Sequence, residues 1–290
     1  RNDIEFTEEE SERLTYIGKD QSFGKDKGFK DTFDGLGHTI SHLSLIKKVT
    51  TKITYGIFGE ISETGIIKNL MLNDISFTQT NNIKVGHLGL LAGANKGKIL
   101  NCTLTNSSIT MKNDESRAED FGGFVANNYG DIYNCIIDNI TLKVNNASWT
   151  SAGIVKSNFG RIINCSASNI IFSKIRTGAY ICMSNYNIIH NCYVYKHSDP
   201  NYHAICNTEY INNDYGSSSI KYCYYPDSFK ADSIKSPNSS AEHYMIERYD
   251  NETYTTTTGK PLYERLNQWI DGTGAEEYPD LEFLRWEKGE

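Results

Sequence analysis

Gly123-Phe124-Val125-Ala126-Asn127-Asn128-Tyr129-Gly130-Asp131-Ile132-Tyr133-Asn134-Cys135-Ile136-Ile137 decides the fold, because its outline returns along the chain about every thirty residues. The outline is a Gly, two or three apolar residues, an Asn/Gly-rich turn, then Ile-x-Asn-Cys and an apolar pair. It returns as Gly89-Leu90-Leu91 with Ile99-Leu100-Asn101-Cys102, and as Gly153-Ile154-Val155 with Ile162-Ile163-Asn164-Cys165. Self-similarity at a fixed period means stacked units, and short apolar pieces between turns make the stack a β-solenoid.

Working outward with the cysteine as reference, the register predicts seven rungs at Leu43, Leu70, Cys102, Cys135, Cys165, Cys192 and Cys223. Two residues on stand Leu45, Leu72, Leu104, Ile137, Ala167, Val194 and Tyr225, the alternation of a strand with one buried face. A second strand is expected around Ile75, Ile109, Ile140 and Ile170, and a third at the Gly-led piece. Stacking like on like makes this an all-β, right-handed parallel β-helix. One position before the cysteines the column reads His42, Asn69, Asn101, Asn134, Asn164, Asn191 and Tyr222. Asparagine tolerates a left-handed backbone, and its amide can bond the next rung, so this column predicts an architectural ladder.

The chain of 290 residues carries a net charge of -7 with 22% charged residues, a mildly acidic and foldable composition. That balance argues against nucleic acid or an anionic membrane surface as the main partner, since both select basic patches. No apolar run is long enough to span a bilayer. Arg1 is not an initiator Met, so a processed or trimmed chain is expected, and the lack of a targeting segment says nothing about compartment. Five of the seven cysteines share one register position and read as a stack of small buried side chains. Cys182 and Cys206, one rung apart, leave a pairing open.

Three parts are expected: an N-terminal lead-in and cap at residues 1–33, the β-helix at 34–235, and a C-terminal cap at 236–290. In the last part Pro261 to Gly272 reads as an amphipathic helix, with Leu262, Leu266, Trp269 and Ile270 on one face and Gly272 ending it. Its expected task is to cover the exposed last rung. Rung length varies mainly after the second strand, so the inserts at 79–86, 112–120, 145–151, 173–177 and 196–201 should line one edge.

Asp34-Gly35-Leu36-Gly37-His38-Thr39-Ile40-Ser41-His42-Leu43, followed by the Gly-Leu-Leu and Ile-x-Asn-Cys repeats, resembles the GLUG-repeat proteins. These are bacterial surface or secreted proteins of the Bacteroides type, and the repeat also occurs beside IgA-cleaving metallopeptidases. Leu266-Asn267-Gln268-Trp269 and Leu284-Arg285-Trp286 look like the tail that often closes such chains. The resemblance implies a β-helix outside a bacterial cell, extracellular or on its surface, and adhesion. It supplies no catalytic residue, and the chain has no His-Glu-x-x-His.

The residues carry little visible chemistry. His38 and His42 fall in the opening turn and predict no metal site, and no cofactor is expected. Asp74, Asp131 and Asp138 are isolated carboxylates, whereas glycosidases need a facing pair. The loop edge is richer. Lys112 to Asp120 is a charged bulge containing Asp114, Glu115 and Arg117, and the next rung's loop carries Asn146 and Trp149. A Trp beside polar groups can stack a sugar ring, or it can fold back on the solenoid while the charges are solvated. Tyr193, Tyr195, Tyr202, Tyr222, Tyr224 and Tyr225 gather in the late rungs, as a binding face or as packing. The expected function is a non-enzymatic, adhesin-like module recognising a glycan or host surface protein through the loop edge. The alternatives are a structural stalk or spacer of a larger surface protein and a polysaccharide-degrading enzyme.

Overall fold

The computed structural model describes residues 2–14, 28–47, 54–80, 86–111, 120–145, 150–197, 201–210, 218–229 and 244–288. Each turn is built like the one from Asp120 to Val144. Asp120–Gly122 joins a five-stranded sheet, Val125–Asn128 a six-stranded sheet, and Asp131–Tyr133 with Ile136–Val144 a large sheet of 18 strands. The repeat pairings of the solenoid are parallel and in register: Ile99, Ile132, Ile162, Ile189 and Ile220 form one column. Leu72, Leu104, Ile137, Ala167 and Val194 form another. These columns fill one continuous buried core, in which like side chains stack on like.

The turn count differs from the expected seven. Five turns contribute to all three sheets, because the five-stranded sheet runs only from Thr54–Tyr55 to Thr177–Ala179. The first and last stretches are partial turns. The first also sits in a different register: Ser44 pairs with Ser76, which sets Leu43 beside Ile75 rather than beside Leu70. The slip is five residues, because His42-Leu43-Ser44-Leu45 has the pattern of Asp74-Ile75-Ser76-Phe77, which follows a later corner of the turn; separately, the first turn carries two extra residues between Asp34, beside Lys68, and Thr39, beside Met71. His42 therefore belongs to a second left-handed corner shared with Asp74, Asn106, Asn139 and Asn169, all at φ between 50° and 58°. The Gly-led piece is a corner rather than a strand. A Cβ on Gly123 would stand 2.4 Å from the carbonyl of Gly153, so only glycine lets successive turns close there.

Asparagine ladders hold the corners. Asn101, Asn134, Asn164 and Asn191 each donate Nδ2 to the Oδ1 of the preceding asparagine at 2.7–3.1 Å, and Asn69 donates to Asp34. Asn95, Asn128 and Asn158 form a second ladder running the opposite way, each donating to the following turn and ending on Asn185. All seven cysteines are buried and free, Cys182 and Cys206 included, although these two are direct strand neighbours.

Both ends are occupied. Ile4–Glu5 pairs with Thr39–Ser41, and the helix α1 (Glu8–Arg13) follows under a Thr7–Glu10 capping box. At the other end Tyr244–Tyr249 pairs in parallel with Ser219–Pro226. The helix α2 (Leu262–Trp269) buries Leu262, Leu266 and Trp269 as its spacing predicts. It does not stop at Gly272: a wider helical turn spans Ile270–Gly274, and a last short turn covers Ala275–Glu277. Nor does this segment simply cover the last rung. It runs back along the outer flank of the solenoid, where Trp269, Ile270 and Tyr278 pack with Tyr133 and Ile163. The reason is the ladder itself: Asn134 and Asn164 donate Nδ2 to the carbonyls of Glu282 and Leu284, and Asn191 to that of Leu266.

Candidate functional site

Ser76–Gln79, Thr103–Met111, Ile136–Val144 and Ile171–Ser173 all end at one corner of the solenoid. From there the chain crosses to His87–Leu88, Asp120–Gly122, Thr150–Ala152 and Thr177–Ala179, and these crossings hold the inserts of variable length. Asp114, Glu115, Arg117, Asn146 and Trp149 lie outside the described residues. Their anchors are within them. Met111 pairs with Val144, and Phe121 with Ser151, so the two loops leave and re-enter side by side on adjacent turns. All four anchor residues are buried.

A hollow of about 510 Å3 lies at the same corner, one turn further on. It is lined by Thr150, Arg176, Thr177, Met183, Asn201, Tyr202, His203 and Asn207. Arg176 is exposed, whereas Asn207 and Met183 are buried at its base. Tyr202 is pinned by a hydrogen bond from its phenol to the carbonyl of Ile175 at 2.9 Å and by its ring against Phe172. The lining therefore offers amide, hydroxyl, imidazole and guanidinium groups on a rigid base, a donor-rich set suited to hydroxyls or a carboxylate.

A second, drier cleft of about 270 Å3 opens where the C-terminal segment meets the late turns. Tyr193, Leu262 and Leu266 form its buried floor, and Tyr195, Tyr254, Tyr263 and Trp286 its half-buried walls. Tyr195 and Tyr254 stack at 5.4 Å, and their shared hydrogen bond, with burial, pushes the Tyr195 phenol up to about 12. Tyr193 meets Trp286 edge to face at 4.8 Å. The late-rung tyrosines thus divide: Tyr193 and Tyr195 reach this cleft, while Tyr224 and Tyr225 are packed away.

His190 is a titratable group the sequence reading did not single out. Its side chain is only 5% exposed. Nε2 lies 3.0 Å from Ser219 Oγ, and Nδ1 lies 2.8 Å from the Tyr278 phenol and 3.5 Å from Glu277. The order Ser–His–carboxylate has the outline of a nucleophilic triad. Burial first, and Lys221 second, push the imidazole down to about 4. Such a ring is a poor base near neutral pH, and it is sealed under Tyr278. It pins the C-terminal segment to the solenoid.

The carboxylates weighed for catalysis are engaged in the framework. Asp131 takes a bidentate pair from Arg161 at 2.7 Å, Asp138 accepts from Ser168 and Asn169, and Asp74 faces His42 at 3.7 Å. His38 contacts Asp3 and His42 contacts Glu5, both on the N-terminal segment. Among the described residues no group of three potential ligands forms a metal site, and no helix is long and apolar enough to cross a membrane.

Sequence reading missed a stack of Tyr129, Phe159, Tyr186 and Tyr210, with centroids 4.2–4.8 Å apart and planes within 15°. The signal was present in Asn128-Tyr129-Gly130, Asn158-Phe159-Gly160 and Asn185-Tyr186-Asn187, where one aromatic recurs at one offset. Each inner ring lies between its neighbours' faces, and the end rings Tyr129 and Tyr210 are exposed.

No family model matches the chain, and no solved structure does. It is similar to halomucin from Haloquadratum walsbyi, 36% identical over 88 residues. The match spans 30% of this chain and 1% of halomucin, so it covers a fragment of a far longer protein.

Proposed function

We propose that the chain is a non-enzymatic, GLUG-type surface module that binds a glycan along its loop edge, in the manner of an adhesin. What carries this reading is the single corner from which the inserts of successive turns emerge, with the donor-rich hollow of Arg176, His203 and Asn207 on the same edge. A row of loops on a laminated scaffold can diversify without disturbing the core, because the framework bonds lie at other corners. Sugar hydroxyls and uronic or sialic carboxylates match the groups of the hollow, with Arg176 as the cationic partner of the carboxylate. The partial likeness to halomucin, a mucin by name, agrees with display outside the cell.

The competing reading is a stalk or spacer without a ligand, favoured by the asparagine ladders at the other corners. The two are separated on a broad glycan and mucin array. The chain, Trp149→Ala, Arg176→Ala and a variant lacking residues 112–120 are applied in parallel. Saturable binding that Arg176→Ala or the loop variants reduce at least tenfold supports the module. A blank for all four proteins, with unfolding curves intact, assigns the chain to the stalk.

A further inference from the structure

The cleft between the late turns and the C-terminal segment has the construction of a small ring-binding site, and its walls are fixed before any ligand arrives. The indole of Trp286 donates Nε1–H to Asn164 Oδ1 at 2.7 Å. Its backbone is clamped from both sides by Asn267, which accepts from the Trp286 N–H at 2.9 Å and donates to the Trp286 carbonyl at 2.8 Å. Across the cleft the buried Tyr249 phenol lies within hydrogen-bond reach of the carbonyls of Val194 and Tyr195, and the Leu262 N–H donates to the Tyr254 carbonyl. Trp286 is thus tied to a ladder asparagine, and Tyr195 and Tyr254 are held at their backbones. Preorganisation of this kind lowers the entropy lost on binding.

We infer that this cleft is a second binding site, taking one neutral pyranose unit of a glycan. Three observations select that class. The walls are tyrosine and tryptophan rather than aliphatic: Tyr195 and Tyr254 cover each other's faces, which leaves the rings of Tyr263 and Trp286 to meet the C–H face of a sugar ring and the phenols to meet its hydroxyls. The charges at the mouth, Glu287 and Lys288, are opposite, which leaves no net field to select an anion. The volume of about 270 Å3 falls just below the roughly 300–1,000 Å3 of drug-sized sites, room for one ring rather than a chain. The site shares no lining residue with the loop-edge hollow and goes beyond that proposal, so either can fail alone.

The test uses the whole chain and saturation-transfer NMR with the methyl glycosides of glucose, galactose, mannose and N-acetylglucosamine, followed by calorimetry on any that respond. Tyr263→Ala is the main variant, because that ring is half-buried and, among the described residues, its hydroxyl bonds only to the adjacent Glu264. Trp286→Phe is the second, and Arg176→Ala the control at the other site. The expected result is saturable binding of at least one glycoside at roughly millimolar Kd. It should weaken about tenfold in Tyr263→Ala and stay unchanged in Arg176→Ala. Absence of binding by every glycoside overturns the inference, as does binding that both cleft variants retain. Saturation transfer to indole that Tyr263→Ala weakens, with the glycosides silent, would assign the cleft to an apolar side chain and overturn the inference equally.

Discussion

Asn134, Asn164 and Asn191 sit at φ of 51–55°, a region that costs most L-residues about 1–2 kcal/mol and that asparagine enters with less strain. The side chain that relieves the backbone also bonds the next turn, so one residue type answers two demands. The ladder stops at Asn191, whose Oδ1 has no partner among the described residues, because Tyr222 occupies the following position. His190, one residue earlier, shows how burial sets a titration. Its folded value of about 4 lies below the ordinary 6.5, so the unfolded chain binds the proton first as pH falls. Stability from this residue is whole above pH 6.5 and is lost between 6.5 and about 4, up to about 3 kcal/mol. Urea unfolding at several pH values should show that slope in the native chain and a shallower one in His190→Gln. Equal slopes would mean that the ring is hydrated.

The C-terminal segment and the central ladder are one element in energetic terms. Asn164 donates to Asn134 and to the Leu284 carbonyl, and it accepts from Asn191 and from the Trp286 indole. Asn164→Ala removes these bonds, leaves buried partners unsatisfied and places alanine at φ 52°. A loss of roughly 3 kcal/mol is expected. Asn164→Gly should recover about 1 kcal/mol of it by relieving the backbone alone. Guanidine unfolding monitored by tryptophan fluorescence gives both values, and an earlier Trp transition in Asn164→Ala would show the segment lifting from the flank. The amphipathic pattern of α2 was legible because Leu262, Leu266 and Trp269 recur at helical spacing. Its destination was not, because apolar spacing identifies a buried face but not the surface that buries it.

At the scale of the molecule the solenoid is a set of columns, and the cysteine column tests it. All seven thiols are buried, and burial pushes those of Cys135 and Cys192 well up from the usual range. A disulfide-exchange reagent should therefore label none of them in the native chain and seven after guanidine, and a reductant should leave Tm unchanged. Rapid native labelling of two thiols would instead place Cys182 and Cys206 within solvent reach. The columns themselves were written in the chain: Ile-x-Asn-Cys at a near-constant period determines a stack of parallel turns, since only like residues at like positions fill a core whose cross-section repeats. The turn count and the register of the first turn were decided by pairing, because His42-Leu43-Ser44-Leu45 fits the pattern after either left-handed corner, and only Ser44 beside Ser76 assigns it to the second. The candidate sites belong to the tertiary structure almost wholly. Period and spacing report what one turn shares with the next, whereas Arg176 with His203, and Tyr195 with Trp286, meet through segments that do not repeat.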